Sequence, residues 1–161
     1  PVWISDVRDL SGALDMIERL GEITGTANKA EILTMQIEER FKSIRTLEPT
    51  RTVAYFIWQE PYMVAGHGTF VNDMLARCGL VNVFDASDAR YPQISDQELE
   101  EAGPEVILLS SEPYPFKEKH LRELQEICPE ADVRLVNGEM FSWYGSRLLK
   151  APEYFNGLSL V

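Results

Sequence analysis

Only two histidines and two cysteines occur in the 161 residues. Cys78 and Cys128 stand far apart, outside any CxxC or Cys/His cluster, which argues against a zinc site. The chain has no GxSxG elbow, P-loop, GxGxxG fingerprint or HExxH helix, so the short signatures of hydrolases, nucleotide enzymes and zincins are missing. Cations are scarce as well: 15 Lys and Arg against 26 Asp and Glu leave a net charge of -11. That balance argues against nucleic acid, whose binding depends on Lys and Arg releasing counterions, and against an anionic membrane surface. No apolar stretch approaches the roughly 18 to 20 residues that span a bilayer. The N-terminus lacks the basic, apolar and small-residue sections of a signal peptide. Because the chain starts Pro1-Val2-Trp3-Ile4, which reads as the tail of a strand, a processed or excised chain is expected.

What is present describes one globular domain. Apolar residues make up 45% and charged ones 25%, an ordinary composition for a chain long enough to bury a core. Leu10, Ala13, Leu14, Ile17, Leu20 and Ile23 recur at three- and four-residue spacing and predict an amphipathic helix ended by Gly25. Asn28-Lys29-Ala30-Glu31 has the capping-box form, and the stripe Ala30, Leu33, Ile37, Phe41, Ile44 predicts a second helix to about Leu47, roughly 30 Å long. Beyond Pro49 short apolar runs alternate with amphipathic segments. Strands are expected at Thr52 to Trp58, Asn82 to Phe84, Glu105 to Ser110 and Asp132 to Val136, with helices starting near Thr69, Ser95 and Phe116. Unbroken runs such as Val106-Ile107-Leu108-Leu109 suit strands covered on both faces. The fold class is therefore α/β: a Rossmann-like parallel sheet flanked by helices and preceded by a long helix.

In open parallel sheets ligands bind beyond the carboxyl ends of the strands. Here those ends run into Trp58-Gln59-Glu60-Pro61-Tyr62, then Glu112-Pro113-Tyr114-Pro115-Phe116, then Met140-Phe141-Ser142-Trp143-Tyr144. Three aromatic loops should meet on one edge, supplying stiff apolar walls with Trp N–H and Tyr O–H groups to orient a ligand. His67, between Gly66 and Gly68, is a further candidate contact or metal ligand, and Arg147 could face an anion or a surface carboxylate. His120, among Lys117, Glu118, Lys119, Arg122 and Glu123, is expected to be solvated. Ser110-Ser111 is tied to neither histidine by any motif, so no catalytic residue is assigned.

The long helix, Pro49, the apolar strand, Gly66-His67-Gly68-Thr69, Phe70 to Gly79, Asn82-Val83-Phe84 and Arg90-Tyr91-Pro92-Gln93-Ile94-Ser95 together resemble the C-terminal lobe of the helical-backbone periplasmic binding proteins. The likeness is strongest to the vitamin B12-binding members and runs over most of the chain from about residue 9. It implies that residues 1–5 end a strand of an N-terminal lobe, residues 6–48 hold a helix and the connecting helix, and residues 49–161 form the C-terminal lobe. It also implies a non-enzymatic receptor on the periplasmic or extracytoplasmic side, capturing a cobalamin-like corrinoid or iron chelate between lobes for an ABC permease. Trp58, Tyr62, Tyr114, Phe141, Trp143 and, more weakly, His67 are then the ligand contacts; no cofactor or resident metal is expected. One departure stands out: this chain has Gly79-Leu80-Val81-Asn82 where related lobes carry a glutamate thought to dock on the permease. Rival readings are a tetrapyrrole metal chelatase using His67 and Glu60, and a sensor or interaction domain whose aromatic edge binds protein.

Overall fold

The computed structural model describes residues 2–158. Two helices come first, α1 (Leu10–Ile23) and α2 (Ala27–Phe41). Asp9 starts α1 by accepting the Gly12 N–H at 2.7 Å, satisfying a donor the first turn leaves open. Gly25, at φ +69°, turns the chain back so that α2 packs along α1.

The second helix differs from expectation at both ends. It begins one residue after Thr26, with Asn28 inside the first turn and not capping it. It ends at Phe41 and is 15 residues long, about 22 Å. Ile44 and Leu47 still pack on the core, but from a non-helical chain held by Asn156 Oδ1 on the Arg45 N–H and Cys78 O on the Leu47 N–H. Apolar spacing reported burial correctly and helix length incorrectly.

The sheet follows: β1 (Arg51–Trp58), β2 (Met63–Val64), β3 (Leu80–Asn82), β4 (Val106–Ser110) and β5 (Asp132–Val136). Strands β3, β1, β4 and β5 run parallel, with β1 central against β4. The other side of β1 is shared: β3 pairs with residues 51–53, and the antiparallel β2 pairs near Phe56 and Trp58. The sequence did not reveal β2, which is too short for a period-two pattern. It also placed β3 two residues late.

Helices cover both faces. Val53, Tyr55, Val106 and Leu108 face one layer, formed by α1, α2, α3 (Phe70–Arg77), α6 (Gly138–Ser142), the 3-10 turn Ser146–Leu149 and α7 (Ala151–Asn156). Ala54, Phe56, Ile107 and Leu109 face α4 (Asp96–Ala102) and α5 (Glu118–Ile127). All eight strand residues are at most 1% exposed, which is why their sequence is continuously apolar. The expected capping box at the start of α4 is present, Ser95 and Glu98 bonding each other's backbone N–H.

Candidate functional site

The chain leaves β1 toward β3 on one side, then crosses back to β4 and β5 on the other. The switch point therefore lies between the carboxyl ends of β1 and β4, the position at which open parallel sheets bind ligands. Trp58 ends β1 there and Tyr114 follows β4. The Tyr114 N–H donates to Ile57 O at 3.3 Å, and the rings of Trp58 and Tyr114 meet edge to face at 5.6 Å between centroids. Trp58 stays 41% exposed, a large apolar group that burial alone does not explain.

The loop after β4 also holds the third aromatic segment. The Trp143 indole N–H and the Ser142 hydroxyl both donate to Glu112 Oε1. Trp143 is 49% exposed, and the Arg147 guanidinium lies 5.6 Å from its ring centre while pairing with Glu139 at 2.7 Å. Of the two partners considered for Arg147, the structure shows the carboxylate. A shallow groove of about 350 Å³ runs beside Trp143, Gly145, Ser146, Arg147 and Lys150. The residues Glu112 to Tyr114 thus tie the exposed indoles of Trp58 and Trp143 to one short loop.

Close approach explains Gly138 at the start of α6: an added Cβ would overlap the Ser110 hydroxyl and stand 2.7 Å from Glu112 Cγ. Ser110 itself is buried, accepts the Tyr55 O–H at 3.2 Å and donates to Glu112 O. Its hydroxyl shapes the loop.

The other candidates separate into distinct environments. Phe141 is fully buried between Tyr55 and Phe155, at 5.1 and 4.8 Å between centroids, and is a core residue instead of a cleft wall. Met140 is buried too. Tyr62 is half-buried, edge-on to Phe56 at 5.3 Å, and burial pushes its phenol above the usual value, helped by the charges of Glu123 and Asp96. His67 is exposed and pairs with Asp85 at 3.2 Å; Asn72 holds the same carboxylate oxygen at 2.7 Å. Its flanking glycines serve the fold. Gly66 lies against Ala89 O and donates its N–H to Arg90 O at 2.7 Å, and Gly68 takes φ +65° before Thr69 caps α3.

His120 departs furthest from expectation. It is 2% exposed, enclosed by Tyr114 and Phe116 at 5.6 and 5.3 Å between ring centres. The charged neighbours hid a stripe of His120, Leu124 and Ile127, whose i, i+4, i+7 spacing is the signal that marks its face as buried. Two exposed aromatics were not among the expected ligand contacts: Tyr144, which closes the third aromatic loop and meets Phe70 edge to face at 5.3 Å, and Tyr91, 46% exposed. Both line a small cleft of about 140 Å³ with Arg90, whose guanidinium grips Asp6 through two bonds of 2.9 and 2.6 Å.

Among the described residues no group of three His, Cys, Asp or Glu side chains could hold a metal ion. Nor is any described helix long and apolar enough to cross a membrane.

Comparison with known proteins agrees with this geometry. Residues 1–128 match the family described as "Periplasmic binding protein". The vitamin B12-binding protein of Vibrio cholerae serotype O1 is 24% identical over 112 residues, covering 68% of this chain and 41% of that protein. Its Yersinia pestis counterpart is 24% identical over 114 residues, covering 68% and 40%. The chain thus spans about two fifths of the curated relatives it matches. Among solved structures, a possible iron-binding periplasmic solute-binding protein from Staphylococcus epidermidis superposes with a TM-score of 0.77 at 18% identity, covering 98% of this chain and 64% of that one. The periplasmic haem-binding protein of Vibrio cholerae gives a TM-score of 0.74 at 18% identity, covering 93% and 64%. At such identities the likeness is one of fold.

Proposed function

The chain belongs to the periplasmic binding protein family, and from that premise we propose that it is the helical connection and C-terminal lobe of a solute-binding protein serving an ABC importer outside the cytoplasm. Its cargo is a cobalamin-like corrinoid or an iron chelate, held against the carboxyl edge of the sheet and closed over by a second lobe. The observation that carries this reading is the pair of half-exposed indoles, Trp58 against Tyr114 and Trp143 on Glu112, joined to the one residue 112–114 loop. Such walls suit the flat, apolar edge of a macrocycle.

Charge favours the corrinoid. Arg147, over the Trp143 ring, is already paired with Glu139, and Glu112 adds a further carboxylate. Among the described residues this leaves Lys150 as the one cation lining the groove beside Trp143 without an ion pair. A ferric catecholate, with its negative charge, would call for several unpaired Arg or Lys. On this reading capture, not chemistry, is the activity, and His67 is engaged with Asp85. On this reading α2 connects the lobes and residues 2–5 lead in from the other one. Val81, 52% exposed on β3, offers a permease no carboxylate, so docking would use other acidic residues.

Calorimetric titration of the intact two-lobed protein with cyanocobalamin, ferrichrome and haemin tests the proposal. Saturable binding of one of them, weakened at least about tenfold by Trp58→Ala through the lost aromatic contact, is the expected result. Failure of the folded protein to bind any of the three would overturn the importer reading.

A further inference from the structure

Behind the Trp58 and Tyr114 wall lies a chain of hydrogen bonds whose direction is fixed at both ends. Glu123 on α5 presents a carboxylate, which only accepts, to Gln59 Nε2 at 3.0 Å. The amide of Gln59 must therefore turn its Oε1 toward Tyr114, whose hydroxyl donates to it at 2.8 Å. With its proton committed, the Tyr114 oxygen is left as an acceptor for His120 Nε2–H, 3.4 Å away. At the other end the Lys117 backbone N–H, which only donates, points at His120 Nδ1 at 2.7 Å. Both constraints select the same form of the imidazole, neutral with its proton on Nε2.

We propose that His120 is a positioning residue for the ligand wall: it holds Tyr114, and through it Gln59, in the one orientation that lets Trp58 stand out from the surface. The inference rests on the capture reading above for its functional meaning, though its structural half stands alone. The relay joins three segments through their side chains, namely the turn after β1 with Gln59, the loop after β4 with Tyr114, and the first turns of α5 with His120 and Glu123. It spans the switch point between β1 and β4. Burial makes it effective: His120 is 2% exposed, so water does not replace a missing partner freely, and the rings of Tyr114 and Phe116, edge to face at 4.8 Å, both pack against the imidazole. The same ring closes the N-terminus of α5, because Nδ1 satisfies an N–H that the helix itself cannot.

Two substitutions separate helix capping from wall positioning. Asn places its carbonyl where Nδ1 sits and reaches no further, so His120→Asn keeps the bond to Lys117 and loses Tyr114. Gln carries an amide N–H to the former position of Nε2, so His120→Gln restores the donor to Tyr114. Side-chain nitrogen NMR of the ligand-free intact protein should show His120 with the proton on Nε2. The Gln59 amide and Trp58 indole resonances should shift in His120→Asn and return toward wild type in His120→Gln. Affinity for whichever of cyanocobalamin, ferrichrome or haemin the wild type binds should drop about three- to tenfold in His120→Asn, the range a single lost hydrogen bond gives, and recover in His120→Gln. A proton on Nδ1 overturns the proposal, as do unmoved Gln59 and Trp58 resonances in His120→Asn, or equal affinities in both variants and wild type. If no probe binds the wild type, the capture reading falls while the NMR result still decides whether His120 orders the wall.

Discussion

The two ends of the same parallel sheet carry opposite chemistry. At the amino end, strands enter through polar groups that satisfy one another: Thr52 N–H donates to Glu105 Oε2 at 2.7 Å, Glu105 N–H to Thr52 Oγ1 at 3.0 Å, and Asp132 pairs with Arg134 at 2.7 Å. At the carboxyl end, strands exit into aromatics, two of them indoles with nearly half their surface in water. One end is closed by short reciprocal bonds. The other is held in place from behind and left open in front. A helix-covered parallel sheet needs only its faces buried, so its ends are free to specialise, and here one specialises in integrity and the other in contact.

The largest test of this division lies within the carboxyl end. Phe141→Ala should cost about 3–5 kcal/mol in denaturant unfolding, as a large core truncation does. Its near neighbour Trp143→Ala should change stability by less than about 1 kcal/mol while weakening ligand binding. Equal stability losses would erase the boundary drawn between core and rim. Next in size, Gly138→Ala should destabilise by about 1–3 kcal/mol, because the new methyl group overlaps the Ser110 hydroxyl and the loop that both indoles share; its affinity loss should exceed that of a core variant of equal stability.

The smallest effect belongs to the amino end. The Thr52 backbone N–H, then the Thr52 hydroxyl, hold the Glu105 carboxyl below the usual glutamate value. A carboxyl lowered by folding adds stability above its unfolded value and loses it as pH falls through the folded one. Glu105→Gln should therefore flatten the acid limb of the stability-pH curve and narrow its gap to wild type at low pH, with affinity unchanged. An affinity change would join the two ends that the comparison separates.

Much of this architecture is legible in the residues themselves. Continuous apolar runs gave β1 and β4 to within a residue, because burial on both faces leaves no alternation to misread; β5 was placed as well, although it is partly exposed and carries Asp132 and Arg134. Placing three aromatic loops on one edge needed only those strand ends and their parallel direction. What failed was finer. Phe141 and Trp143 lie two positions apart, but Phe141 is within α6, four residues past the Asn137 cap, and is buried, while Trp143 stands just beyond the helix end. His120 was misread because five charged neighbours outweigh one buried imidazole in any local count. Helix α2 was overextended because Ile44 and Leu47 keep the apolar rhythm after the backbone has left the helix.

The shared outer edge of β1 has a consequence for how copies of this protein meet one another. Its carbonyls are already taken, Val53 O by the Val83 N–H and Tyr55 O by the Ala65 N–H, between two strands too short to recruit a third. The free edge of the sheet falls to β5, which carries Asp132 and Arg134, and Arg134 reaches over to Leu158 O at 2.7 Å. Strand-to-strand growth between molecules is thus blocked by short pieces on one flank and by charge on the other. The protein can present naked indoles to solvent without also presenting a template for aggregation.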